Sequence, residues 1–152
     1  MSTPPQAPAV PGRLRRPEAA DIPLLGSWRS AFAADTGTGR PGEDPAAAAA
    51  ASWAAGRLHL WEDGGHPVSM AQSSDRAAPG PVRVSLVYTP PGQRRRGYAA
   101  ACVAALSAEL LTAGHPSCYL YADRANPVAN GVYRRIGYHP VADLEDWRPD
   151  PA

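Results

Sequence analysis

The sequence predicts one α/β domain (α+β mixed) in which about four helices cover both faces of a central, twisted, mixed β-sheet of six to seven strands. Two observations support this prediction. The period of the apolar residues changes along the chain and gives the order β-α-α-β-β-β-α-β-α-β. Within that order, a strand–helix–strand unit over 81–123 indicates a parallel strand pair, whereas the hairpin before it indicates antiparallel neighbours.

The composition is that of an ordinary globular protein. The chain has 152 residues, enough for one hydrophobic core, and 44% of them are hydrophobic while 19% are charged. The net charge of +1 argues against a general nucleic-acid binder. All 15 basic residues are arginine, because the sequence contains no lysine, so a group of arginines is weak support for any function by itself.

Residues 1–12 are rich in proline and polar residues, so we expect a disordered N-terminal tail followed by a single domain over 13–148. No apolar run approaches the roughly 20 residues that cross a bilayer, and the N-terminus lacks the apolar segment of a signal peptide. Cys102 and Cys118 are therefore expected to be reduced, packed thiols in a cytoplasmic protein.

The sequence of the first half of the chain indicates a short strand and two helices. Gly12–Arg16 is the strand, and Pro17 suits the first turn of the helix that follows it. Thr36–Pro45 breaks the chain before an alanine-rich helix over 46–55. The residues of the first helix that should face the core recur at helical spacing: Leu24, Leu25, Trp28 and Phe32.

The second half alternates strands and helices. A hairpin joins Arg57–Asp63 to Pro67–Gln72 through the glycines at 64 and 65. The clearest strand, Pro81–Thr89, leads into the clearest helix, Arg96–Ala113. The buried stripe predicted for that helix is Ala99, Val103, Leu106 and Leu110. The remaining elements are a strand over 117–123, a short helix over 126–137 and a final strand over 138–147.

The loop between the clearest strand and the clearest helix has the properties of an anion site. The start of a helix leaves four backbone N–H groups without partners and carries a partial positive charge, which suits phosphate. Gly97 lets the backbone approach a ligand, Ala99 is small, and the arginines at 94, 95 and 96 add positive charge. An ordinary strand-to-helix turn with solvated arginines explains the same stretch, and neither GxxxxGK[ST] nor GxGxxG is present.

Two motifs, VYTPPGQRRRGYAAACVAALS over 87–107 and LYADRANPVANGVYRRIGY over 120–138, together resemble the GCN5-related N-acetyltransferase (GNAT) superfamily. The family signature Q/R-x-x-G-x-G/A falls on Arg94, Gly97 and Ala99. The second signature falls on Asn126, Ala129, Tyr133 and Gly137, with the aromatic Tyr138 following. The resemblance is strong over 82–141, whereas 13–72 agree only in the order of elements.

This resemblance implies the GNAT fold and an acetyl-CoA site without a metal. The pantetheine arm would lie between the strands at 81–89 and 117–123, which would splay apart at their ends. Backbone groups there would pair with the arm and hydrogen-bond the thioester carbonyl as it gains negative charge. The residues expected to contact acetyl-CoA are Val87, Tyr88, Thr89, Arg94, Arg95, Arg96, Gly97, Tyr98, Ala99, Asn126 and Tyr133.

The resemblance also implies a general acid. Tyr133 would protonate the departing thiolate, although in isolation the same residue suits a buried core tyrosine. Asn126 would contact the pantetheine or brace the loop, and it also suits the N-cap of the helix that starts at Pro127. The general base stays open. The titratable candidates are Glu62, Asp63, His66 and Asp123. The alternatives are a relay through a water molecule, Ser85 or Tyr88, and an amine that binds already neutral.

The acceptor is expected to be an amine of a small molecule or peptide, bound by the first two helices, their connection and the final strands. Four aromatic residues would either line its pocket or fill the core, namely Trp28, Phe32, Trp53 and Trp61. Three acids would attract a cationic amine, namely Asp35, Glu43 and Asp44. The competing function is a catalytically inactive acyl-CoA-binding module. We expect a monomer or homodimer that uses neither nucleic acid nor a membrane.

Overall fold

Five strands form the central sheet in the order β1 (Arg13–Arg15), β2 (Leu58–Asp63), β3 (His66–Ser73), β4 (Val82–Tyr88) and β5 (Cys118–Tyr119) in this computed structural model, which describes residues 1–143. The first three strand pairs are antiparallel. The β4–β5 pair is parallel, as the strand–helix–strand unit predicts. The sheet is therefore mixed.

Four α-helices pack against this sheet in the described part of the chain: α1 (Ile22–Thr36), α2 (Pro45–Ala54), α3 (Tyr98–Thr112) and α4 (Pro127–Arg135). The helices α1 and α2 cover one face, where their side chains meet those of β2, β3 and β4. The helices α3 and α4 contribute to a separate core on the other face. The prediction of a mixed sheet with helices on both faces is confirmed.

The two cores follow from the alternation of side chains along the strands. The core beneath α1 contains Leu25, Trp28, Ala49, Leu58, Leu60, Met70 and Tyr88. The core beneath α3 is larger because it receives most of the predicted stripe of that helix, and it includes Val82, Val84, Val103, Leu106, Leu110, Cys118 and Ile136. One prediction for α1 is wrong: Leu24 is 36% exposed, because it lies beside Leu25 and so points away from the core.

The β2–β3 hairpin forms where the alternating segments predict it. Its turn has two glycines with left-handed backbone, Gly64 at φ 59° and Gly65 at φ 81°. This conformation suits the tight twist of a two-residue hairpin turn and carries a steric cost for other residues. The hairpin joins β2 to β3, and β3 in turn pairs with β4.

The strand count differs from the prediction of six to seven. The segment predicted as a strand over 117–123 pairs only at Cys118 and Tyr119. Residues 138–143 of the predicted final strand form no strand, and 144–147 lie outside the described residues. Alternating sequence indicates an extended chain, but a strand also needs a hydrogen-bonding neighbour, and β4 diverges from this segment after two residues.

Residues 1–12 contain no helix or strand, yet they contact the rest of the chain at several points. Met1 and Cys118 exchange backbone hydrogen bonds of 2.6 and 2.7 Å at the outer edge of β5. Val10 packs against the core beneath α3. The assignment of these residues to a disordered tail, and of 13–148 to one domain, stays a prediction.

Both cysteines are free and buried, as the sequence predicts. Burial raises the pKa of the Cys102 thiol to about 12, so this group is a packed thiol rather than a nucleophile. Within residues 1–143, no helix is long and apolar enough to cross a membrane.

Candidate active site

A cavity opens where β4 and β5 part. The two strands pair only at Val82–Cys118 and Arg83–Tyr119, and the rest of β4 has no partner on this side among the described residues. The gap encloses about 110 Å³. Its walls come from α1, β4, the segment after β5 and α4, through Phe32, Arg83, Val84, Ser85, Leu86, Val87, Leu120, Tyr121 and Tyr133. The splaying that the family resemblance implies is therefore present.

A β-bulge in β4 shapes the floor of this cavity. On β3 the register advances two residues, from Met70 to Gln72, while on β4 it covers three, from Tyr88 back to Ser85. Leu86 has φ 52°, a conformation that leucine rarely adopts. A bulge leaves an extra residue outside the ladder. Backbone groups at Leu86 and Val87 are thereby freed from regular pairing with β3 at the cavity.

The start of α3 provides a second polar feature near the end of β4. The chain turns through Arg95 and Gly97, which have φ 66° and 81°, before the helix begins at Tyr98. The first helical hydrogen bond runs from Ala101 N–H to the Gly97 carbonyl at 3.0 Å, and no side chain caps this end. The N–H groups of residues 97–100 are thus without helical partners, as an anion site requires.

The three arginines of this loop have different surroundings. Arg94 donates through Nε to the Thr89 carbonyl at 2.8 Å and pairs with Asp35 of α1 at 3.2 Å. Arg96 donates to the Gln93 side chain at 3.3 Å. All three are exposed, so their charge is available to a ligand at the helix start while Arg94 also ties the loop to α1.

Tyr98 and Gly97 are placed by contacts inside the protein. The Tyr98 ring is buried, and its hydroxyl donates to the Asp63 carboxylate of β2 at 2.5 Å, which raises the pKa of that hydroxyl. A Cβ on Gly97 would lie 2.9 Å from Cγ1 of Val10. The side chain of Tyr98 and the side of Gly97 that faces Val10 are therefore already in contact with the protein. A ligand at the start of α3 would meet the backbone of these two residues instead.

Tyr133 of α4 stands in the cavity wall. Its ring meets the Tyr138 ring edge to face, with centroids 6.2 Å apart, and the Tyr138 hydroxyl is in turn fixed by Ser107 at 2.6 Å. Burial raises the pKa of Tyr133, so the phenol keeps its proton at neutral pH. Within residues 1–143 no group forms a hydrogen bond with the Tyr133 hydroxyl, which leaves it available in the cavity.

Asn126 is the N-cap of α4. Its Oδ1 accepts a hydrogen bond from the Ala129 N–H at 3.1 Å, and the residue is exposed where the segment after β5 leads into α4. The capping alternative is therefore present in the structure. A contact with the pantetheine remains a prediction for this residue.

The side chains of Tyr88 and Thr89, at the end of β4, are held by neighbouring residues. Ser69 donates to the Tyr88 carbonyl at 3.0 Å and lies 3.0 Å from the Thr89 hydroxyl. The Tyr88 ring packs against Trp28 in the core beneath α1. Like Tyr98, Tyr88 and Thr89 thus have anchored side chains.

The carboxylates considered as general base are occupied elsewhere. Glu62 pairs with Arg13 and Arg15, and Asp63 accepts the Tyr98 hydroxyl. Asp123 accepts the Ala125 N–H through Oδ1 at 2.9 Å. Among the described residues, no carboxylate lines the cavity.

Two other candidates for the base differ in position. Ser85 lies in the cavity wall, while His66 is exposed at the start of β3. Of the groups that the sequence suggested, Ser85 is therefore the one that shares the cavity wall with Tyr133.

The tryptophans of the candidate acceptor pocket serve the core. Trp28 is buried beside Tyr88, and the indole N–H groups of Trp53 and Trp61 donate to the carbonyls of Pro17 and Pro11. Phe32 is the predicted aromatic that reaches the cavity. Sequence reasoning missed five residues of the cavity wall, namely Arg83, Val84, Leu86, Leu120 and Tyr121. Arg83 could have been predicted, because it is two residues from Ser85 and so lies on the same face of the strand.

Comparison with known proteins places the chain in a family. Residues 26–138 match the model of the acetyltransferase (GNAT) family. A search of curated proteins found no match. The aminoglycoside N-acetyltransferase AAC(6')-Iy in complex with CoA superposes with a TM-score of 0.73 at 16% identity, covering 91% of this chain and 95% of that one.

Two further solved structures have the same fold. One, described as a predicted acetyltransferase from Clostridium acetobutylicum with acetyl-CoA, has a TM-score of 0.65 and 19% identity, covering 90% of this chain and 95% of its own. The other, an aminoglycoside acetyltransferase from an uncultured soil metagenomic sample in complex with sisomicin, has a TM-score of 0.70 and 10% identity, covering 92% and 96%. With the family match extending over most of the sequence, the chain belongs to the acetyltransferase (GNAT) family.

Proposed function

We propose that the protein is an acetyl-CoA-dependent N-acetyltransferase that transfers its acetyl group directly to an amine. The observation that carries this proposal is a cavity with two of the required features in its wall, while a third feature follows β4 along the chain. The features in the wall are the bulged strand β4 and the Tyr133 phenol, and the third is the uncapped start of α3.

The residues present fit such a donor. The N–H groups at 97–100 would bind the pyrophosphate, with the exposed arginines of the loop adding charge. The end of the gap nearest the start of α3, beside Val87, would hold the pantetheine arm, since the backbone groups of β4 beyond Arg83 have no strand partner on that side within the described residues. Acetyl-CoA supplies an activated acyl group in the form of a thioester.

Transfer then needs a donor for the thioester oxygen and a proton for the sulfur. The amine nitrogen forms a bond to the carbonyl carbon, the carbon–sulfur bond breaks, and the amine loses one proton while the thiolate gains one. A backbone N–H at the bulge near Val87 would stabilise the negative charge that develops on the oxygen. Tyr133 would give its proton to the thiolate, because burial keeps the phenol protonated.

The cavity favours an amine that arrives in its neutral form. No carboxylate among residues 1–143 lines the cavity to take the proton of an ammonium group, so that proton would be lost to solvent before the amine binds. The neutral amine loses one further proton as the amide forms. That proton would pass, directly or through water, to the Tyr133 phenolate left after the thiolate is protonated. The aminoglycoside acetyltransferases with the same fold are 10–16% identical to this chain, which supports the fold and leaves the acceptor to be decided by the residues of the site.

The test is release of free thiol from acetyl-CoA across a panel of amines, with the Tyr133→Phe variant. We expect thiol release with at least one amine, and a turnover lowered by roughly 100-fold or more in Tyr133→Phe with unchanged affinity for acetyl-CoA. Tyr119→Phe is the matched control, since Tyr119 lies on β5 outside the cavity lining. An unchanged turnover in Tyr133→Phe removes this residue from the mechanism.

The second candidate is an acyl-CoA-binding module without catalysis. The lack of a carboxylate in the cavity wall of the described residues favours it. It predicts saturable binding of acetyl-CoA and no thiol release with any amine, so the same panel separates the two functions.

A further inference from the structure

Arg83 contributes the one charged side chain in the described wall of the cavity between β4 and β5. Its guanidinium lies over the ring of Tyr121, with the central carbon 4.5 Å from the ring centroid. Tyr121 is 57% exposed, so both groups face the solvent side of the opening. An aromatic ring holds a guanidinium by its face and leaves the edge N–H groups free to bind another partner.

The neighbouring acids do not neutralise this arginine. Among residues 1–143, no carboxylate oxygen lies within 4.0 Å of the Arg83 guanidinium. Asp35, one helical turn beyond the cavity residue Phe32, pairs with Arg94. Asp123, two residues beyond Tyr121, accepts the Ala125 amide. The cavity wall is therefore positively charged at its outer end, which is the solvent-exposed end where β4 and β5 still pair.

The strand places this charge in the same cavity as the reacting groups. Side chains alternate along β4, and Val84 enters the core beneath α3, so Arg83 and Ser85 share the opposite face. Both line the same cavity as Tyr133 and the bulge at Leu86. At the usual rise of a strand, the Cα atoms of Arg83 and Val87 lie about 13 Å apart. The distance from the guanidinium to Val87 is shorter if the arginine side chain extends along the strand toward the bulge.

We propose that Arg83 binds a carboxylate of the acceptor, and that the acceptor class is a primary amine bearing a carboxylate at the far end of a spacer of several atoms. The inference rests on the proposed acetyl transfer. A guanidinium forms paired, charge-assisted hydrogen bonds with a carboxylate, and its charge disfavours polycationic amines at the same place. The spacer is required because the carboxylate binds at the outer end of β4 while the amine reacts near the bulge.

The test compares amines that differ only at the far end: 6-aminohexanoate, hexylamine and 1,6-diaminohexane. We expect kcat/KM for 6-aminohexanoate to exceed that for hexylamine about tenfold or more, since a charge-assisted hydrogen bond contributes roughly that much. The diamine should be the poorest. Arg83→Gln should reduce the 6-aminohexanoate value to that of hexylamine, leave hexylamine within about twofold, and leave the Kd for acetyl-CoA unchanged.

Arg13→Gln is the matched control because Arg13 is an exposed arginine on β1, three strands away from β4. Equal rates for 6-aminohexanoate and hexylamine in the native protein overturn the inference, as does an Arg83→Gln variant that keeps the preference. The native comparison stands even if the variant fails to fold, which a thermal melt reports.

Failure of the proposed function looks different. It is a lack of acetyl-CoA binding together with a lack of thiol release for all three amines. If acetyl-CoA binds but no amine reacts, equilibrium binding of the three compounds to the CoA complex decides: tighter binding of 6-aminohexanoate that Arg83→Gln abolishes supports the acceptor class, and equal binding refutes it.

Discussion

Gly97→Ala tests how the start of α3 is held. Two costs arise from the structure: the backbone has φ 81°, and the new methyl carbon would lie 2.9 Å from Cγ1 of Val10. Gly37→Ala is the matched control, because Gly37 ends α1 with φ 66° and a methyl group added there would have no other atom within 4 Å. Left-handed backbone costs alanine about 1 kcal/mol at either site. The clash adds about 1 kcal/mol at Gly97 alone.

Urea denaturation of the two variants measures the difference. We expect Gly97→Ala to lower the free energy of unfolding by about 2 kcal/mol and Gly37→Ala by about 1 kcal/mol. In a Val10→Ala background the cost at Gly97 should fall to that at Gly37, because the atom that clashes is gone. Equal costs at both glycines in the native background would show that Val10 does not rest on Gly97, and would refute this account of the loop.

Two further predictions concern buried groups. Burial lowers the pKa of His59 to about 4, against the attraction of Glu109 and together with the charges of Arg16 and Arg76. The unfolded chain therefore binds the proton first, and stability should fall by up to about 3 kcal/mol as the pH drops from about 6.5 to 4, in a urea series that His59→Gln flattens. Tyr98→Phe should lower the urea midpoint, because it removes the hydrogen bond from the phenol to Asp63 of β2. The Kd for acetyl-CoA should stay unchanged, and a Kd that is ten times weaker would show that the phenol contacts the ligand.

The fold was largely predictable because periodicity reports which face of an element is buried. The two glycines of the β2–β3 turn and the apolar stripe of α3 identify their elements without any tertiary information. The strand over 117–123 was overestimated, since its sequence indicates an extended chain whether or not β4 stays beside it. Pairing is a property of two segments, and a local pattern describes one.

The candidate site divides in the same way. The loop at 94–99 follows from its own sequence, because the start of a helix is a local feature. Tyr133 is predicted only through the resemblance of 120–138 to the GNAT superfamily. The left-handed Leu86 was not predictable, since a bulge is imposed by the register of β4 against β3. The pairing of Arg94 with Asp35 likewise joins residues that only the packing of α1 brings together.

The proposed function requires acetyl-CoA to bind along the gap between β4 and β5 with its pyrophosphate at the start of α3. The decisive measurement is isothermal titration calorimetry of the native protein with acetyl-CoA. We expect saturable heat with one acetyl-CoA bound per chain. If no heat is detected at high micromolar protein concentration, the protein does not bind the donor and the proposed function fails.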